Sequence, residues 1–259
     1  MVTPAQRDAG PGRQARSPLA DSLSTLAATP DDAPDIDAQL VMIAHLAADL
    51  VTPVSYASVT ATRDAAYTTV ATSSQVALAV DLAQYADDSG PCLDALQTGA
   101  PFSVRSIAAT MVWPGFRAAA LHLGLRASLS IPLFAGSGAP VAVLNLYGHD
   151  PVAMAPLQQR VGELYDPDTP AGPRRDPSQP GEPEHDGREH DGPALDVGGG
   201  QLLAGLREAL AVRATIQRAI GVIMARERRP AGEAYAILRL RAAAGHASLP
   251  DTAARTTTD

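Results

Sequence analysis

Between Asp166 and Gly192 the chain is dense in Pro, Gly, Asp and Glu and almost free of apolar residues. Such a stretch buries too little surface to offset the entropy of ordering it. The 259 residues therefore read as an upstream and a downstream unit joined by this stretch. Residues 165–200 read as a flexible acidic linker. Residues 1–34, rich in Pro, Ala, Gly, Ser and Asp, read as a disordered tail.

Charge divides the same way. From Gln201 to Asp259 there are nine Arg and five acids, and the remaining eleven Arg and twenty-three acids lie upstream. An acidic body joined to a basic end points to a polyanionic partner for that end alone. All the basic side chains are Arg, a bias that GC-rich coding produces without reference to function. Cys92 is the only cysteine, which excludes an intramolecular disulfide. No apolar core of a signal peptide follows Arg7, Arg13 and Arg16, and no apolar run reaches the roughly 18 residues of a membrane span. A cytoplasmic protein is expected.

Periodicity gives the local elements. Ile36, Leu40, Ile43, Ala47 and Leu50 form one face of a helix that starts after Asp35 and stops before Pro53. Val54–Thr60 and Tyr67–Thr72 read as strands. Val76–Ala86 reads as helix or irregular structure, and Pro91–Leu96 as a short helix closed by Gly99. Phe102–Val104 reads as a strand, and Pro114–Leu123 as a helix closed by Gly124. Arg126–Phe134 and Pro140–Tyr147 flank a five-residue, two-glycine loop, the pattern of a hairpin. These elements predict an α+β unit over 35–164, an antiparallel sheet with flanking helices.

Residues 201–259 predict a three-helix module. Leu202, Leu203, Leu206, Leu210, Ile216, Ile220 and Ile223 give one long stripe, and Leu203, Leu210 and Gln217 suit a short dimeric coil. A second helix runs from near Pro230 to Gly245. Ser248 and Asp251 resemble a capping box for a very short third helix.

Two stretches resemble known families. Ser89-Gly90-Pro91-Cys92-Leu93-Asp94, Trp113-Pro114, Ser130-Ile131-Pro132-Leu133 and Leu144-Asn145-Leu146-Tyr147 resemble GAF sensory domains common in actinobacterial regulators. Ile216-Gln217-Arg218-Ala219-Ile220-Gly221-Val222-Ile223-Met224-Ala225 with Glu233-Ala234-Tyr235-Ala236-Ile237-Leu238-Arg239 resembles the ANTAR module of transcription antitermination regulators. The resemblance implies binding of RNA stem-loops, usually as a homodimer, and a small-molecule ligand for the GAF-like unit. A helical face meets such a hairpin through phosphate contacts, stacking and polar contacts to bases. Arg213, Arg218, Arg239 and Arg241 are the candidate charge and stacking groups, and Gln217 and His246 the candidate base readers. Ala219, Gly221, Met224, Ala234 and Leu238 read as packing residues, with Gly221 permitting close helix approach.

The module departs from the family pattern where Ile220 replaces a frequent Lys, where Ala242-Ala243-Ala244-Gly245 replaces a polar stretch, and at Pro250. A sensory or dimerising scaffold without RNA binding is therefore the rival reading. No catalytic residue, metal site or cofactor is expected. Cys92 reads as a buried structural thiol, and the repeats Glu184-His185-Asp186-Gly187 and Glu189-His190-Asp191-Gly192 as solvated low-complexity sequence.

Overall fold

The computed structural model describes residues 17–165 and 195–258. Its centre is a five-stranded antiparallel sheet of β1 (Tyr56–Arg63), β2 (Ala66–Thr72), β3 (Phe102–Val104), β4 (Ala127–Phe134) and β5 (Pro140–Gly148), ordered β2-β1-β5-β4-β3. Ser130 lies opposite Asn145 and Ile131 opposite Leu144, while Thr60 lies opposite Val143. The two-residue period of the pleat then sorts side chains between faces. Val59, Leu129, Ile131, Leu144 and Leu146 join one apolar core. Ser58, Thr60, Ser130 and Asn145, all equally buried, belong to the opposite face.

Helices cover both faces, and so all eight residues of β4 are buried. On the apolar face lie α1 (Pro18–Ala28), α2 (Ile36–Leu50) and, after the polar-face helices, α6 (Pro151–Tyr165). On the polar face lie α3 (Gln75–Ala86), α4 (Pro91–Thr98) and α5 (Pro114–His122). The chain closes with α7 (Val197–Glu227), α8 (Ala231–Ala244) and α9 (Leu249–Thr258). The expected α+β fold with a helical C-terminal module is the observed one.

Two expectations need correction. The N-terminal segment is not a tail up to residue 34. Pro18 starts α1, and Leu19, Leu23 and Leu26 are buried at 0%, 2% and 1% exposure. Their i, i+4, i+7 spacing is a helical stripe that the surrounding Pro, Ala and Ser obscure. The segment 165–200 likewise ends in structure. Asp196 caps α7 by accepting from the Gly199 amide at 2.8 Å, and its second oxygen accepts from the Thr52 amide at 2.6 Å. The glycines there serve packing. A Cβ on Gly205 would lie 2.7 Å from Ala20 Cα, and one on Gly198 would overlap the carbonyl of Leu50. The two His-Asp-Gly repeats lie outside the described residues.

Helix α7 has 31 residues, about 46 Å at 1.5 Å per residue, and it belongs to both units. Leu202, Leu203 and Leu206 are part of the core beneath the sheet. Ile216, Ala219, Ile220 and Ile223 form a separate core with α8 and α9. Leu203, expected at the seam of a dimeric coil, is instead buried within the chain.

Candidate nucleic-acid interface

The C-terminal module is built on α7, α8 and α9, with Ala234, Leu238, Ala242, Leu249 and Ala253 completing its core. Arg228, with φ of 52°, ends α7, and His246, with φ of 47°, makes the turn into α9. Half of the expected capping box is present: Ser248 Oγ accepts from the Asp251 amide at 3.2 Å, and the Asp251 carboxylate accepts from the Ser248 hydroxyl at 2.6 Å. The third helix runs to ten residues, longer than the spacing suggested, because Leu249, Thr252, Ala253 and Thr256 bury one face. Ile220 packs into the core at 5% exposure. Gly221 has no neighbour within 4 Å of a Cβ position, so it does not permit a close helix approach as expected, and Met224 is 38% exposed.

The six candidate contact residues fall into two groups. Arg213, Gln217 and Arg239 face the sheet-bearing half of the chain. Arg213 Nε donates to the Gly138 carbonyl at 2.8 Å, and its guanidinium lies 3.9 Å above the centre of the Phe134 ring. The Gln217 amide donates to the Ser137 carbonyl. Arg239 pairs with Asp32 at 2.8 Å. Beside it the Tyr235 hydroxyl lies 3.4 Å from both the amide and the carboxylate of Asp31. Partial burial and the Asp31 charge push the Tyr235 hydroxyl up to about 12.

Arg218, Arg241 and His246 are exposed. Arg218 lies along its own helix, donating to the Ala214 carbonyl at 3.2 Å and to Thr215 at 3.3 Å. Arg241 pairs with Glu227 within the module. Arg226, Arg228 and Arg229 are also exposed. The run Arg226-Glu227-Arg228-Arg229 was the signal in sequence for this basic turn. The seam partners Asp31, Asp32, Ser137 and Tyr235 had no such signal, since nothing local pairs residues 80 to 207 positions apart.

The polar face of the sheet holds a second constellation. Asp81, Asn145, Tyr147, Gln84 and Cys92 are all buried. Asp81 accepts from the Tyr147 hydroxyl at 2.7 Å and from Thr69 at 2.9 Å. The Asn145 amide nitrogen lies 3.2–3.4 Å from Ser58, Thr60, Asp81 and Cys92, and its oxygen accepts from Ser130 at 2.9 Å. Burial raises Asp81 to about 6, against the opposing hydrogen bonds. Burial and the Asp81 charge push the Cys92 thiol up to about 12, which keeps it protonated and poorly nucleophilic.

Residues 33–164 match the GAF domain model. The chain belongs to the GAF domain family. Residues 204–255 match the ANTAR domain model, so a sensory-type domain and an antitermination-type module occupy one chain, in that order. No curated protein and no solved structure matches. Both domains are regulatory rather than catalytic modules, and among the described residues no group of three or more His, Cys, Asp or Glu side chains is placed to hold a metal ion.

In this GAF-domain protein the space between the sheet and α3 and α4 is taken up by the Asp81–Asn145 network. A cleft of about 820 Å³ instead opens between the end of α1 and the ANTAR module, lined by Ala28, Pro30, Arg239, Leu240 and Leu249 among others. No helix among the described residues is long and apolar enough to cross a membrane.

Proposed function

We propose that this chain is a cytoplasmic, signal-responsive regulator that binds RNA stem-loops through its ANTAR domain and thereby modulates transcription termination. The observation that carries this reading is the ANTAR match on a folded module whose surface displays Arg218, Arg226, Arg228 and Arg229. Arginine suits the task because its planar guanidinium both pairs with phosphate and stacks on unpaired bases. The GAF domain supplies the input, and a small-molecule ligand would bind it outside the space that the Asp81–Asn145 network fills. A homodimer would have to form through a surface other than one centred on Leu203, which is buried within the chain.

The rival reading, a scaffold whose ANTAR module does not bind RNA, draws on Arg213, Gln217 and Arg239 being engaged within the chain. Titration of the full chain with an RNA of two adjacent hairpins separates the two readings. Phosphate contacts predict affinity that falls steeply with salt, and an Arg218→Ala/Arg239→Ala variant that binds more weakly. An absence of binding at low salt would leave only the scaffold.

A further inference from the structure

We infer that the seam between the ANTAR module and the GAF domain is a releasable latch, and that nucleic acid competes for the side chains that close it. This rests on the RNA reading above.

The latch has a built seat. The tip of the β4–β5 hairpin and the α1–α2 loop are tied together, the Gly136 amide donating to the Thr29 carbonyl at 2.8 Å and the Ser137 amide to the Asp31 carboxylate at 2.7 Å. Into this seat reach Arg213, Gln217, Tyr235 and Arg239. Gly136 makes the approach close: a Cβ there would lie 2.6 Å from the Tyr235 hydroxyl and 2.8 Å from Leu249.

What the seat offers resembles what a nucleic acid offers. Asp32 presents a carboxylate to Arg239 as a phosphate would. Phe134 lies flat beneath the Arg213 guanidinium as an unstacked base would. Backbone carbonyls take the Arg213 and Gln217 hydrogen bonds. The same atoms cannot serve both partners at once, so occupation by one excludes the other.

The attachment is also built to open. Between Ala209 and Ile216 no residue of α7 is buried, and the cores on either side remain separate. The contacts that close the seam are mostly polar and half-exposed, and the 820 Å³ cleft beside them, lined by Ala28, Pro30, Leu240 and Leu249 among others, leaves it incompletely packed. The first half of α7, held under the sheet by Leu202 and Leu206, stays in place while the distal half leaves. The seat lies at the tip of the two strands that carry Ser130 and Asn145, which connects it to the GAF interior. By linkage, whatever loosens the seat strengthens nucleic-acid binding by the same factor.

Two ways of opening and one of locking test this on the full chain with the two-hairpin RNA. Gly136→Leu wedges the seam, and Asp31→Asn/Asp32→Asn removes its charges; neither touches a candidate RNA contact. Both should bind about tenfold more tightly than the parent, within the usual range of coupling between sites. A Ser137→Cys/Gln217→Cys pair adds two thiols where the only other one, Cys92, is buried. Its oxidised, locked form should bind about tenfold more weakly than its reduced form. Equal affinity across parent, opened and locked proteins overturns the latch and leaves RNA binding standing. Binding by none of them at low salt overturns both.

Discussion

Two sets of polar contacts join distant parts of this chain, and they differ in one property. The network is centred on Asp81 and Asn145, each of them at 0% exposure. The contacts of Arg239 with Asp32 are open to solvent, the two side chains being 39% and 65% exposed. Buried groups that lose a partner cannot recover it from water, whereas exposed ones can. The same chemistry therefore makes a permanent element of the GAF fold in one place and an exchangeable contact in the other.

Four substitutions or conditions test this contrast. The largest effect is expected from Asn145→Leu, which leaves the Ser130 hydroxyl without its acceptor and removes the amide donor shared by Ser58, Thr60 and Asp81. Loss of several buried hydrogen bonds should cost about 3–5 kcal/mol of unfolding free energy, read by denaturant titration. A cost below about 1 kcal/mol would show the network to be dispensable.

Asp81 gives the next effect, through pH. Its folded value of about 6 lies above the ordinary 3.8, so the folded state binds the extra proton. The stabilisation is complete below pH about 4 and is lost as pH rises through about 6, amounting to about 3 kcal/mol by linkage. Asp81→Asn should remove that part of the pH dependence, and an unchanged profile would contradict the assignment.

Arg213→Ala removes a hydrogen bond at 2.8 Å and a ring contact. The expected loss is about 1–2 kcal/mol, seen as faster amide exchange in the distal half of α7 while the half beside Leu206 stays protected. Asp32→Asn should be smallest. An exposed pair contributes about 1 kcal/mol or less, so global stability should hardly move, and a loss as large as that of Asn145→Leu would erase the contrast.

Legibility in the sequence followed locality. Helix α2 was readable from its apolar spacing and the break at Pro53, and the β4–β5 hairpin from two apolar runs around a glycine loop. Helix α1 is hidden in the sequence although Leu19, Leu23 and Leu26 carry the right spacing, because the composition around them resembles a tail. Gly198 and Gly205 sit in a stretch that begins like a linker, and only Leu50 and Ala20 across the gap explain them. Among the candidate contact residues, Arg213, Gln217 and Arg239 were picked out by residue type. What they touch was not legible.

By itself the sequence determined a sheet-forming unit and a helical one, the GAF and ANTAR resemblances and the uneven charge, since each depends on residue type and near-neighbour spacing. Tertiary structure alone decided that one continuous helix serves both cores and that the ANTAR module rests on the hairpin tip. Those contacts join residues from 75 to 207 positions apart, and no local preference encodes a pairing over that distance. It emerges only when the apolar stripes of α1 and α7 find each other beneath the sheet.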